Sequence, residues 1–375
     1  MYYNKFKDIQ VSALGLGCMR FPTLEDKTVD IKKTAEMVDY AIKNGLNYFD
    51  TAWGYHEGQS ESVMGDILSN YPRNSYFLAS KFPGYDLANF GKQADIFEQQ
   101  LTKCKTDYFD FYLFHSLTEG NINEYLDDEK YGVYTFLTNQ KNMGRIKYLG
   151  LSCHCSLDTL KRFFDAYGNV IDFCQIQLNW LDWEYQDAKA KVDYLNSINV
   201  PIWVMEPVRG GRLFNLAPVF ADVLKNNAPE RTTAEWAFRY IQSINGVCVT
   251  LSGMSNLEQL KENLSVFNER KSLTNEEMEL LYSLGRKMTE KNPLPCTSCK
   301  YCTTYCPKEL DIPYLIELYN NYKFTTGGYI APKETALLDE DKKPSACIGC
   351  KACEAVCPQQ IKISEMMSYF TSRLK

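Results

Sequence analysis

Apolar and polar positions alternate in two periods along the chain up to about residue 288. Residues 30–43 carry Ile31, Ala35, Val38, Ala41 and Ile42 at helical spacing, and Gly45 follows as a stop. A short strand, 47–50, comes next. The same exchange then repeats. Helix 61–68 leads to strand 76–81, helix 92–103 to strand 109–115, and helix 134–142 to strand 146–152. Helix 157–166 leads to strand 173–177, helix 187–197 to strand 201–205, and helix 233–243 to strand 247–251. With a first strand inside 6–17, eight short strands alternate with helices. The pattern predicts an α/β chain whose parallel sheet closes as a (β/α)8 TIM barrel. Helices 257–264 and 275–288 complete it.

The pattern changes at Asn292-Pro293-Leu294-Pro295. Cys296, Cys299, Cys302 and Cys306 follow, then Pro307. Cys347, Cys350, Cys353 and Cys357 follow later, then Pro358. Each run reads C-x2-C-x2-C-x3-C-P, the bacterial iron–sulfur spacing in which the fourth Cys ligates the other cluster. Three thiolates at every third residue can wrap one cubane on a single loop, and Pro suits a sharp exit. Zinc ribbons use separated CxxC pairs instead. The expected ligands of one [4Fe–4S] cluster are Cys296, Cys299, Cys302 and Cys357. Those of the other are Cys347, Cys350, Cys353 and Cys306. Helical spacing over 312–322 and 363–370 predicts a small, mostly helical ferredoxin-like domain. The expected division is 1–290 for the barrel and 291–375 for the iron–sulfur domain.

Composition narrows the setting. The balance of 41 basic and 47 acidic residues leaves no nucleic-acid footprint. No apolar run approaches the roughly 18 residues that span a bilayer, and residues 1–10 lack the apolar core of a secretory signal. Six of the 14 cysteines lie outside the two motifs, mostly in apolar runs, as buried thiols do. A soluble protein of the reducing cytoplasm is expected, with no membrane partner.

In such a barrel, reactive side chains come from the C-terminal strand ends. Asp50 ends the second expected strand and Tyr55 follows in its loop. Lys81 ends the third, and His115 ends the fourth. His154 also follows a strand end. With F-D-T-A-x-x-Y, the strand-end Lys and the strand-end His in this order, residues 5–288 resemble the aldo-keto reductase superfamily. The resemblance implies a catalytic set of Asp50, Tyr55, Lys81 and His115, and family order selects His115 over His154. The chemistry supports the set. A carbonyl that receives hydride needs a proton, and a free phenol with pKa about 10 gives one up reluctantly. Lys81 beside Tyr55 is expected to lower that pKa, Asp50 to hold Lys81, and His115 to orient the carbonyl.

By the same resemblance the cofactor is NADPH or NADH. Gly17, Met19, Ser152, Gln177 and Met205 should lie toward the nicotinamide. Gly210, Gly211, Leu213, Ser252, Gly253 and Met254 should form the loops where barrels bind phosphate. Gln259 and Asn263 should face the adenosine. Met205 stands where many relatives stack an aromatic ring, and neutral Gly253 and Gln259 stand where many carry Lys and Arg. Two functions are consistent with this sequence. One is an oxidoreductase interconverting a carbonyl and an alcohol with a small-molecule substrate. The other is an electron-transfer protein whose barrel holds a flavin, or docks a partner, and whose clusters exchange electrons with a ferredoxin. Hydride chemistry needs no iron, whereas a flavin links hydride to single electrons.

Overall fold

The structure is a computed structural model that describes residues 1–290, 293–324 and 330–374. Its contacts divide the chain into two compact units, Met1–Tyr282 and Ser283–Lys375. Residues 291 and 292, beside the expected division, lie outside the described residues. Among the described residues no helix is long and apolar enough to cross a membrane.

The first unit opens with a hairpin, β1 (Tyr3–Phe6) paired antiparallel with β2 (Ile9–Ser12). The barrel follows: β3 (Leu14–Gly17), β4 (Tyr48–Asp50), β5 (Phe77–Phe82), β6 (Phe109–Leu117), β7 (Ile146–Cys153), β8 (Phe173–Gln177), β9 (Ile202–Met205) and β10 (Val247–Ser252). These strands form a closed sheet in chain order, with β10 pairing parallel to β3. The single strand expected inside 6–17 is instead β2 and β3, and β1 precedes it; the hairpin turn is made by Lys7 at φ +50° with no Gly or Asn to announce it. Phe6 and Val11 of the hairpin are buried with Tyr48, Phe111, Phe173, Trp203 and Val249 of the barrel interior. Phe6 and Phe173 meet Trp203 with ring centroids 4.9 and 4.5 Å apart. These contacts sit at the early residues of the strands, so the late residues are left for chemistry.

The second unit is a duplicated motif. Lys300 and Lys351 both adopt left-handed backbone, φ +64° and +63°, and each starts a one-turn helix, Tyr301–Thr304 and Ala352–Ala355. The helices Ile312–Phe324 and Ile363–Arg373 follow at matching positions. Their buried residues, among them Leu315, Ile316, Met366, Met367 and Phe370, make one core with Cys302 and Cys353. That core is what closes the two motifs face to face.

Candidate active site and cysteine-lined hollows

Asp50, Lys81 and His115 stand at or near the C-terminal ends of β4, β5 and β6, and Tyr55 lies in the loop after β4. The structure brings all four together. Lys81 Nζ donates to Asp50 Oδ1 at 2.6 Å, to the Thr51 carbonyl at 2.7 Å and to Tyr55 Oη at 3.4 Å. It also lies 4.8 Å from the centre of the Tyr55 ring. The His115 ring meets the Tyr55 ring edge-on at 6.2 Å. His154, the positional rival, instead interacts with Gln177.

His115 is aimed by an irregularity that the sequence did not announce. The β6–β7 register shifts between Phe114 and Leu117, and Ser116 takes φ +58°. Such a bulge re-aims a side chain. It is held by the Ser116 N–H on Ser152 Oγ at 2.9 Å, the Tyr125 hydroxyl on the His115 carbonyl at 2.8 Å, and Asn121 Nδ2 on the Ser116 carbonyl at 2.9 Å.

Electrostatics differ from the expectation in one respect. Burial pushes the Tyr55 phenol above its ordinary value, and this outweighs the lowering by Lys81. The nearby Asp50 carboxylate adds to the rise, since its negative charge disfavours the phenolate. Burial also works against the charge on Lys81, but Asp50 and Tyr55 more than offset it and keep the ammonium charged. His115 is held well below its usual value by burial, then by Lys81. At neutral pH the site therefore contains a protonated phenol, an ammonium and a neutral imidazole.

A supporting network behind Lys81 was missed. Glu61 Oε1 accepts from Ser80 Oγ at 2.6 Å and from Gln100 Nε2 at 2.7 Å, and Gln100 Nε2 also reaches the Lys81 carbonyl at 3.0 Å. Tyr112 donates to Gln100 Oε1 at 2.5 Å. All four side chains are buried. The available signal was a Glu and a Gln on the inward faces of two neighbouring helices.

The expected cofactor residues lie at or after the C-terminal ends of β3, β7, β8, β9 and β10. Gly17 lies against Ser252 and Gly253 where β3 meets β10. Asn263 Nδ2 donates to Ser252 Oγ at 3.1 Å, and Gln259 Oε1 accepts from the Ser255 N–H at 2.8 Å. Gly210 and Gly211 make a turn at φ +64° and +94°, whereas Leu213 and Met254 are buried in the core. Met19 is half-buried. Met205 Sδ is 3.6 Å from Gln175 Nε2. Gln177 Nε2 is engaged by Asp182 at 2.7 Å, and Asp182 also pairs with buried Arg209 at 3.0 Å. The aliphatic stem of Arg20 packs on Gly253, and its charge acts on Glu206 and His56.

In the second unit two hollows face the cysteines. One, of about 300 Å³, is lined by Cys296, Cys299, Cys302 and Cys357. The other, of about 360 Å³, is lined by Cys347, Cys350, Cys353 and Cys306. Each takes three cysteines from one motif and the fourth from the other. The remaining walls are largely apolar, with Ile316 and Ile361 on one and Leu310 and Met367 on the other. Soft thiolate donors around an apolar hollow fit an iron–sulfur cluster.

A family model described as "Aldo/keto reductase family" matches residues 13–286, and one described as "4Fe-4S dicluster domain" matches residues 295–361. An uncharacterized oxidoreductase, YqkF of Bacillus subtilis (strain 168), is 27% identical over 307 residues, 74% of this chain and 93% of the relative. L-galactose dehydrogenase of Arabidopsis thaliana is 24% identical over 294 residues, 71% of this chain and 87% of the relative. The holo form of aldo-keto reductase AKR11C1 from Bacillus halodurans is 24% identical with a TM-score of 0.62, covering 76% of this chain and 96% of that one. An aldo-keto reductase from Klebsiella pneumoniae in complex with NADPH is 19% identical with a TM-score of 0.59, covering 76% and 95%. At these identities the two solved structures show a shared fold.

Proposed function

The chain belongs to the aldo/keto reductase family of oxidoreductases, and from that premise we propose that its barrel interconverts a carbonyl and an alcohol with NADPH or NADH, Tyr55 acting as general acid or base. The observation that carries this reading is the Lys81 ammonium, which bridges Asp50 and the Tyr55 hydroxyl at the strand ends. A bound nicotinamide supplies or takes the hydride. Tyr55 delivers the proton to the carbonyl oxygen, Lys81 and Asp50 fix the phenol, and neutral His115 donates a hydrogen bond that orients the carbonyl. Gly17, Met19, Ser152, Gln177 and Met205 are assigned to the nicotinamide end. Gly210, Gly211, Leu213, Ser252, Gly253 and Met254 are assigned to the phosphates, and Gln259 and Asn263 to the adenosine. Arg20 joins them as a partner for anionic cofactor groups. The functional division is placed at residues 290/291, in a protein of the reducing cytoplasm.

Reduction needs Tyr55 protonated, and its pKa is raised above the ordinary value of about 10. Carbonyl reduction is therefore expected to stay level from pH 7 through about 10 and to fall only as pH rises through that raised pKa. Alcohol oxidation needs the phenolate and should rise over the same alkaline range. The check is kcat/KM against pH in both directions on substrates found by an anaerobic screen with NADH and NADPH. A reductive decline centred near pH 7 would assign the acid to another group.

The cysteine hollows support two [4Fe–4S] clusters with exchanged fourth ligands, and with them an electron-transfer role beside the hydride chemistry. A ferredoxin-type carrier is the partner proposed for this role. Anaerobic protein should carry about eight irons. Cys306→Ala and Cys347→Ala should remove the same electron paramagnetic resonance signal, whereas Cys357→Ala and Cys296→Ala remove the other. Grouping of Cys306 with Cys296 would refute the exchange. Flavin released from that sample by acid would shift the barrel toward electron transfer.

A further inference from the structure

The two hollows are related residue by residue at a constant offset. Cys296, Thr297, Cys299, Lys300 and Cys302 of the first lining match Cys347, Ile348, Cys350, Lys351 and Cys353 of the second. Cys357, Pro358 and Gln359 of the first match Cys306, Pro307 and Lys308 of the second. Duplication makes departures from symmetry informative, because the cluster-holding function alone would keep the copies alike.

Some departures, at Leu310, Ser364 and Met367, change the inner wall, and two, Ile348 and Lys308, place exposed residues at the second hollow. Ile348 is 61% exposed, whereas its counterpart Thr297 is 3% exposed. Cys350 is exposed where Cys299 is half-buried. Lys308 adds a second cation to Lys351, where the first hollow has Lys300 and neutral Gln359. Lys308 and Lys351 are both exposed, and neither has an ion-pair partner among the described residues. The carboxylate of Glu354 accepts from the Ser364 N–H at 2.7 Å and from its hydroxyl, and Ser364 lines the same hollow. The lining of this hollow contains no carboxylate.

An exposed aliphatic side chain in a lining that also holds two exposed lysines without ion-pair partners and an exposed cysteine has the make-up of a transient redox interface. Such interfaces are small, and charge complementarity steers encounter while a central apolar contact excludes water. We infer that residues 348–351 with Lys308 form the docking surface for an acidic, ferredoxin-type one-electron carrier, which exchanges electrons with the cluster held by Cys306, Cys347, Cys350 and Cys353. One electron leaves the reduced carrier and enters this cluster. The carrier is oxidised and the cluster reduced by the same single electron, and no bond or proton is exchanged. The inference rests on the two-cluster reading, and its test separates the two.

The probe is an acidic plant-type [2Fe–2S] ferredoxin, reduced before mixing, with cluster bleaching followed by anaerobic stopped flow. For the unaltered protein the second-order rate should fall steeply as salt rises. Lys308→Glu combined with Lys351→Glu should lower the low-salt rate at least about tenfold and remove most of the salt dependence. Ile348→Asp should weaken binding of the oxidised ferredoxin, measured by titration calorimetry, several-fold. Lys300→Glu, which alters the lining of the first hollow only, should change the rate less than about twofold. Iron content and bleaching by excess dithionite are read on every protein. An unaltered protein without iron, or one that does not bleach, overturns the cluster reading itself. Normal clusters with an unchanged ferredoxin rate in the Lys308/Lys351 variant, or a larger loss in Lys300→Glu, overturn the docking surface alone. If Ile348→Asp loads iron poorly, Ile348→Thr, the residue of the symmetric copy, replaces it and should weaken binding in the same direction.

Discussion

Replacement of Tyr55 by Phe is expected to slow carbonyl reduction by about 10²- to 10⁴-fold, the range for losing a positioned general acid. The change removes one oxygen and little else. The ring keeps its edge contact with His115 and stays under the Lys81 ammonium, and the ammonium keeps Asp50 at 2.6 Å. Cofactor affinity should therefore hold within about twofold, and the loss should appear in kcat rather than in KM for NAD(P)H. His115 cannot take over the proton. Burial and Lys81 keep it neutral at working pH, so the imidazolium that would be needed is scarce. Single-turnover reduction on a substrate established with the unaltered protein is the measurement. Turnover within tenfold of that protein would show that the proton comes from elsewhere.

The proximity of Tyr55 to Lys81 was legible because both signals are local. A polar residue after a run of apolar strand residues marks a strand end, and a parallel barrel brings all such ends to one face. The direction of the Tyr55 pKa was not legible, since it depends on how completely the loop after β4 buries the phenol. Nor was the aim of His115 legible. The bulge at Ser116 rests on Tyr125, Asn121 and Ser152, and no spacing links them to a strand that reads as continuous. The helix Pro218–Asn227 escaped because its apolar stripe is weak and only Leu224 is buried. Ile330–Ala336 escaped because Pro332 falls inside its first turn, a position that Pro tolerates. In the second unit the cysteine spacing carried the motif and the grouping of cysteines that lines each hollow. The asymmetry between the copies needed exposures, because Thr297 and Ile348 are both unremarkable residues in a CxxC loop.

Asp50→Asn is expected to have the larger effect on stability, even though it keeps the size of the side chain. The Lys81 side chain is fully buried and Asp50 is its only ion-pair partner among the described residues. Removing one member of a buried pair leaves an uncompensated charge and costs about 3–5 kcal/mol. The mechanism has a signature in pH. In the unaltered protein Asp50 and Tyr55 raise the Lys81 pKa above its unfolded value. That contribution is fully present below about 10.4 and is lost as pH rises through the folded value. Without Asp50, burial is the dominant influence on Lys81 and pushes its folded pKa below the unfolded one. The unfolded chain then binds the extra proton, so stability rises with pH from that depressed value up to about 10.4. Stability that stays level in the unaltered protein but rises with pH in Asp50→Asn, read from barrel unfolding in urea between pH 7 and 10, is the expected result. Parallel slopes would mean that Lys81 keeps its charge through another partner. The pair would then be serving to position Tyr55 rather than to hold the barrel mouth together.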